Sequence, residues 1–174
     1  RQRQMCIRDS CQSVYQSKSG SVEFYSETPK VKITGKNENL ITKLDTKSGL
    51  VMLEIRMGDF VFQDKFVEYE FNGNYLQTNR YPKAIFKGRI TPMMDLSKPG
   101  QYEADIDGKM LIHGVVSSRK IRIKIKVFPN KILEVKSVFI IPLKDHAIEI
   151  PDDMDDKIAR VVGIYLKTSL VSQN

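Results

Sequence analysis

The chain has little cysteine, and what it has cannot form an internal cross-link. Its 174 residues contain two cysteines, and Cys6 lies in the first ten residues, which lack any periodicity. Those residues include the run MCIRDS, resemble translated sequencing adapter and are excluded from fold reasoning. Cys11 is then alone, so neither a disulfide nor a CxxC redox pair is expected. Cys11 is interpreted as the tail of a missing export signal or as part of a frayed end rather than as a lipid-modified N-terminus.

Histidines and long apolar runs are also scarce. No run of about 18 apolar residues occurs, so no segment is expected to span a membrane. His113 and His146 are the only histidines, and neither has a Ser/His/Asp or Cys/His constellation at a recognisable spacing. The aspartates within residues 152–156 lack the spacing of a calcium loop and are interpreted as acids at a helix start. Catalysis, a metal ion and a cofactor are therefore not expected.

Short alternating runs make up most of the remaining sequence. From Ser21 onward each run ends at Gly, Pro, Asn or Asp, which is typical of an all-β sandwich or barrel. In the clearest run, 120–127, the apolar residues alternate with basic ones, so one face is expected to be buried and the other solvated. Val161 to Leu170 is predicted as a closing strand. About eight antiparallel strands are predicted in all, a number that commonly closes into a barrel.

Turns and helical pieces are predicted between these strands. Asp107-Gly108 is a strong hairpin signal, with Gly114 closing that hairpin. Residues 64–76 place aromatic side chains at helical spacing, which predicts a short amphipathic helix before the next strand. Residues 154–160 are predicted to form a second short helical piece. Pro82 fixes its own φ and favours extended geometry at Tyr81, so a strand is predicted over 84–90.

Several segments together resemble the YceI-like, polyisoprenoid-binding family of bacterial proteins. The resemblance covers about residues 19–170, and the YP-to-FKG and IHGV segments are its more specific parts. It rests on GSVEF (20–24), NGNYL (72–76), YPKA (81–84), FKG (86–88), GKMLIHGV (108–115), IEIP (148–151) and KIA (157–159).

The resemblance implies an eight-stranded antiparallel, lipocalin-like barrel with a short helical insert, whose interior holds a long isoprenoid chain, usually in exported proteins. Two departures leave the ligand preference open. Glu70 stands where the family's helical insert often has His, and 115–118 is a loose match to the family's Gly-Val-Thr turn. We therefore expect a non-native or disordered segment, 1–18, followed by one barrel domain, 19–174.

The expected function is non-enzymatic binding, transport or storage of a polyisoprenoid or an isoprenoid quinone in a periplasmic or secreted protein. The expected partner is this isoprenoid or another long-chain lipid, and transient contact with a membrane surface and a homodimer are left open. An enzyme acting on a lipophilic substrate lacks a recognisable acid and base pair. The residues predicted to line the tunnel are Phe60, Phe62, Phe66, Phe71, Phe86, Ile112, Ile123, Phe139 and Ile164.

A second function class follows from charge. The formal net charge is +7, and strand 119–126 carries a run of basic residues that would suit nucleic acid or an anionic surface. No aromatic residue interleaves with these charges to stack on bases, so a solvated strand face is favoured and no nucleic acid is expected. The same stripe would suit docking on an anionic membrane. The basic residues are Arg119, Lys120, Arg122, Lys124 and Lys126.

Overall fold

The computed structural model describes residues 14–173 and is built almost entirely from strands. One short α-helix, α1 (Lys65–Glu70), continues into a π-helical turn, Phe71–Tyr75. Single 3-10 turns occur at Met57–Asp59, Leu143–His146 and Asp152–Met154. The strands are β1 (Val14–Glu27), β2 (Lys32–Asn37), β3 (Ile41–Asp45), β4 (Leu50–Arg56), β5 (Val61–Phe62), β6 (Lys83–Thr91), β7 (Gly100–Ile112), β8 (Val115–Val127), β9 (Leu133–Pro142) and β10 (Val161–Ser172).

Eight of these strands form a closed antiparallel barrel, as predicted. Their order around the barrel is β10-β9-β8-β7-β6-β4-β3-β1, and β1 closes the ring by pairing with β10, for example Phe24 with Ile164. Closure removes the exposed edges that an open sheet would present. The short strands β2 and β5 extend from the C-terminal half of β1, at the end of the barrel that also carries α1. We call this the upper end.

The alternating faces predicted for β8 and β10 are confirmed. Ile121, Ile123 and Ile125 are almost fully buried, whereas the basic residues between them are exposed. In β10 the inward face is buried from Val162 to Leu170. Because a strand has a period of two, alternation of this kind fixes which face is inside even though it does not fix how far the strand extends.

The predicted hairpin at Asp107-Gly108 is wrong, because β7 runs straight through it. Gly108 lies opposite Gly88 of β6, and a Cβ on Gly108 would meet the Lys87 carbonyl and come within 2.6 Å of the Gly88 Cα. The glycine is therefore required by a close approach of two backbones and not by a turn. The real β7–β8 turn is His113-Gly114, where both residues have positive φ (56° and 73°), as a two-residue type I′ turn demands.

The helical insert is confirmed, and its start has a clear cause. The Phe66 backbone N–H donates to the Asp64 carboxylate at 2.9 Å, so Asp64 is an N-cap. The helix predicted over 154–160 is wrong in extent: only the single turn Asp152–Met154 is helical. Val14 to Ser17 of β1, which lie in the segment predicted as non-native or disordered, pair with β3 and β10, and the boundary of the barrel domain stays a prediction. Cys6, Cys11 and the rest of segment 1–13 lie outside the described residues.

Candidate functional site

The upper half of the barrel encloses a cavity of about 110 Å³. Residues of six barrel strands, β1, β4, β6, β7, β9 and β10, surround it, and the 3-10 turn Leu143–His146 contributes to one wall. His146 and the paired surface residue Glu54 are the ionisable residues at its boundary, and the other side chains are apolar. The residues include Val22, Leu40, Leu53, Ile55, Met57, Phe60, Phe71, Leu76, Ala84, Phe86, Met110, Ile112, Phe139, Ile141, Leu143, Ile148, Val162, Ile164 and Leu166.

The lower half of the barrel is closely packed. The space that remains between its inward-facing side chains is about 20 Å³. Leu133 and Leu170 are buried completely or almost completely, and Ile123, 2% exposed, borders only this small void. Interiors packed to this density accommodate an added group only by moving their neighbours. The lower half therefore serves as the core that holds the barrel together.

A second, open space lies above the cavity. This groove has a volume of about 560 Å³. One wall is α1 with Phe66, Val67 and Glu70, and the other is the 148–158 segment, which contributes Ile150 and Met154. The second wall is fastened to the β1–β2 hairpin by three hydrogen bonds. They run from the Ala159 N–H to Ser26 Oγ (2.9 Å), from Thr28 Oγ1 to the Asp156 carbonyl (2.7 Å) and from Lys30 Nζ to Asp156 Oδ2 (2.8 Å).

Charged and hydroxyl groups occupy part of the groove's boundary. Glu70, Asp153 and Lys157 line the groove together with Tyr75. Burial raises the pKa of the Tyr75 hydroxyl, and the negative charges of Glu70 and Asp153 act in the same direction. The groove thus combines an apolar floor with polar residues at its boundary, which is the arrangement found in binding sites for amphipathic ligands.

Phe71 separates the groove from the cavity and lines both. Its ring lies 4.8 Å from that of Phe62, 5.6 Å from that of Phe60 and 6.0 Å from that of Phe24. Tilted and edge-on aromatic contacts at these distances are favourable beyond simple burial. Leu76, Leu143 and Ile148 complete the shared wall. This wall is the point at which the two spaces would have to join to admit a long ligand.

We expect Phe71→Ala to lower the free energy of unfolding by about 3–5 kcal/mol, the usual cost of removing a buried phenyl ring. Phe66→Ala is the matched control, because Phe66 lies on the same helical insert but is 69% exposed, and its loss should cost less than about 0.5 kcal/mol. Urea unfolding followed by circular dichroism measures both values. Equal destabilisation by the two variants would contradict the position assigned to Phe71.

The structure separates the nine residues predicted to line the tunnel into three groups. Six of them meet at the central cavity: Phe60, Phe71, Phe86, Ile112, Phe139 and Ile164. Phe62 and Phe66 border only the groove. Ile123 lies in the packed lower half. Whether these residues contact a ligand stays a prediction.

Sequence reasoning missed most of the cavity wall, including its one buried polar side chain. Leu40, Met57, Leu76 and Leu143 lie in loops or short turns, where no strand period indicates which residues face inward. His146 is fully buried on the turn Leu143–His146. The charged residues Lys144 and Asp145 directly before it indicate a surface segment, so the local sequence contains no signal for its burial.

The two specific segments of the resemblance lie in contact with each other at the upper end. The Tyr81 ring packs edge-on against the His113 ring, with centroids 4.8 Å apart. His113 Nδ1 donates to the His146 carbonyl at 3.1 Å, which ties the β7–β8 turn to the loop after β9. Tyr81-Pro82 and the IHGV turn thus form a common corner of the barrel, in which His113 has a structural role.

The seam between β8 and β9 opens beside this corner. Their pairing extends from Val127–Leu133 up to Ile123–Ser137. Above it, Arg119 reaches across the seam, donating to the Ile140 carbonyl at 3.2 Å and to Asp145 at 3.3 Å. Arg119 therefore does not belong to the exposed basic stripe in which it was predicted, because its side chain is only 12% exposed and binds Ile140 and Asp145.

Two residues of the remaining basic stripe on β8 lie beside acidic residues of the neighbouring strand β7. Arg122 pairs with Glu103 (3.5 Å) and Asp105 (3.3 Å) of β7, and Lys124 lies 4.0 Å from Glu103. Exposed pairs of this kind contribute little to stability, but they reduce the positive charge available to a phosphate. The surface therefore has mixed charge, which disfavours the nucleic-acid alternative.

Across residues 14–173, no three His, Cys, Asp or Glu residues are grouped so that they could hold a metal ion. Within the same residues, the helices are all too short or too polar to cross a membrane.

Comparison with known proteins identifies the fold. No protein-family model and no curated protein matches the chain. A polyisoprenoid binding domain from Saccharophagus degradans, implicated in plant cell wall breakdown, matches with a TM-score of 0.78 and 14% identity, over 91% of this chain and 98% of that domain. BcnA of Burkholderia cenocepacia matches with a TM-score of 0.72 and 17% identity, over 86% and 95% of the two chains.

A YceI protein of Campylobacter jejuni also matches, with a TM-score of 0.54 and 11% identity, over 78% of this chain and 81% of that one. At these identities the likeness concerns the fold. The three proteins share with this chain the closed antiparallel barrel that the sequence predicted. The chain therefore has the YceI-like fold, which confirms the resemblance drawn from its sequence.

Proposed function

We propose that this protein is a YceI-like lipid-binding protein that holds a long apolar chain, such as a polyisoprenoid or the tail of an isoprenoid quinone, inside the barrel. The observation that carries the proposal is the cavity inside the barrel, which has an apolar wall and borders a larger groove. The name of the neighbouring Saccharophagus degradans domain supports the choice of ligand, because that domain is called polyisoprenoid binding.

The sizes of the two spaces indicate how such a ligand would fit. The cavity, at about 110 Å³, is smaller than typical ligand sites of about 300–1,000 Å³, whereas the groove, at about 560 Å³, lies within that range. A long chain would therefore occupy both spaces and displace the Phe71 ring that separates them. Its binding free energy would come mainly from the apolar area removed from water.

The proposed role is non-enzymatic transport or storage. No step of covalent chemistry is assigned to the cavity, because its wall offers one neutral imidazole and no paired acid and base. We further propose that the protein acts outside the cytoplasm, in a periplasmic or secreted form, as the YceI-like resemblance implies. Transient contact of the upper end with a membrane would bring the groove to its lipid.

A series of isoprenoid alcohols tests the proposal. We expect the affinity to rise from geraniol to farnesol to geranylgeraniol, since each added methylene that becomes buried contributes about 0.8 kcal/mol, roughly four-fold in Kd. Displacement of a fluorescent lipid probe measures the three constants. An affinity that does not change with chain length would contradict binding inside the barrel, because surface adsorption at one fixed site does not reward a longer chain.

A further inference from the structure

His146 is held rigidly at the cavity by hydrogen bonds to its ring and to its backbone. Its side chain is 0% exposed and belongs to the cavity wall. The ring Nδ1 lies 2.9 Å from the Val115 carbonyl oxygen, and its own carbonyl accepts the hydrogen bond from His113. Both the position and the orientation of the imidazole are therefore fixed by the β7–β8 turn.

These contacts determine which ring nitrogen carries the proton. A carbonyl oxygen can only accept, so Nδ1 must be the donor, and a neutral imidazole has a single N–H. Burial lowers the pKa of His146, and the nearby positive charge of Arg119 acts in the same direction, while the Val115 and Ile112 carbonyls and Asp145 oppose them. The neutral ring therefore presents a lone pair at Nε2.

That lone pair has no partner. Nε2 is buried, and no group among the described residues donates a hydrogen bond to it. Buried acceptors of this kind are costly, because the group has lost its water without gaining a replacement. Ile112, Leu143 and Ile148, which also line the cavity, have no side-chain donor, and the Ile112 backbone carbonyl that acts on the ring is an acceptor. A molecule in the cavity with an O–H or N–H group would supply the missing donor.

We propose that His146 Nε2 accepts a hydrogen bond from a hydroxyl group at the end of the bound lipid. The inference rests on the proposed function and adds to it the chemical class of the ligand: an isoprenoid alcohol or a hydroquinone, and not a hydrocarbon, an ether or a quinone. A quinone head group offers only carbonyl acceptors, so it would place a carbonyl lone pair against the lone pair of His146 Nε2. His146 would then orient the chain with its polar end at the β7–β8 corner and its apolar length towards the groove.

The test compares geranylgeraniol with its methyl ether, which has the same chain but no donor. We expect the wild-type protein to bind the alcohol at least ten-fold more tightly, because the ether leaves Nε2 unpaired. In His146→Phe, a ring of similar shape without nitrogen, we expect this preference to disappear while the affinity for the ether is kept. Circular dichroism of the variant verifies that it is folded.

Nitrogen NMR of the wild-type protein gives a second readout that needs no variant. The Nε2 resonance of His146 should move when the alcohol is added and stay in place when the ether is added. Equal wild-type affinity for the two compounds, an unmoved resonance with the alcohol, or a preference that survives in His146→Phe would each overturn the role of His146 while lipid binding stands. Failure of both compounds to bind would overturn the proposed function as well.

Discussion

Replacing Gly108 by alanine is expected to lower the free energy of unfolding by about 3 kcal/mol, the upper end of the usual cost of overpacking. A Cβ at this position would meet the carbonyl of Lys87 and the Cα of Gly88 on the neighbouring strand. Both are backbone atoms, so no side chain can rotate away, and β6 and β7 would have to separate in the middle of the barrel. Urea unfolding measures the change.

Gly73→Ala is the matched control for this experiment. Gly73 lies in the π-helical turn Phe71–Tyr75 and has no atom within 4 Å of the position of a Cβ. The added methyl group should be neutral or should stabilise by up to about 1 kcal/mol, because it restricts the unfolded chain. If Gly108→Ala were as stable as Gly73→Ala, the register assigned to β6 and β7 would be wrong.

Ala84→Phe is expected to weaken binding of geranylgeraniol by roughly 100-fold, at the strong end of what a filled pocket achieves. Ala84 lies on β6 with its side chain on the same face as Phe86, and both line the cavity. The added phenyl ring would occupy the cavity of about 110 Å³ and exclude the end of the chain. Displacement of a fluorescent lipid probe measures the loss.

A phenyl ring introduced on the opposite, outward face of β6 provides the control. Lys87 is exposed on the outside of the barrel, so Lys87→Phe should leave lipid affinity within about two-fold of the wild-type value, as expected for a surface change. Thermal unfolding of both variants shows whether the barrel is intact. Wild-type affinity in a folded Ala84→Phe protein would place the lipid elsewhere.

The sequence predicts the barrel well because its strands alternate. The apolar residues Ile121, Ile123, Ile125 and Val127 point inward as predicted, since burial on one face is a property of each strand alone. The error at Asp107-Gly108 has a different origin. Its glycine is explained by Gly88, which is distant in sequence and is brought opposite only by the pairing of β6 with β7. Local turn composition contains no information about that approach.

The candidate site is only partly predictable for a related reason. Phe86 and Ile123 both alternate inward, yet the first lines the cavity and the second lies in the packed half. Their height in the barrel depends on strand tilt and on the register between neighbouring strands, which periodicity does not determine. The burial of His146 depends on even more of the tertiary structure. It requires the β8–β9 seam, the β7–β8 turn and the turn Leu143–His146 to meet.

The central claim is that the barrel holds a lipid, and native mass spectrometry of the purified protein after incubation with a bacterial lipid extract tests it most directly. We expect a second, heavier species whose added mass, released under stronger activation, is that of an isoprenoid with a terminal hydroxyl group. A spectrum with the mass of the protein alone, under conditions gentle enough to keep a control lipocalin loaded with its ligand, would contradict the account.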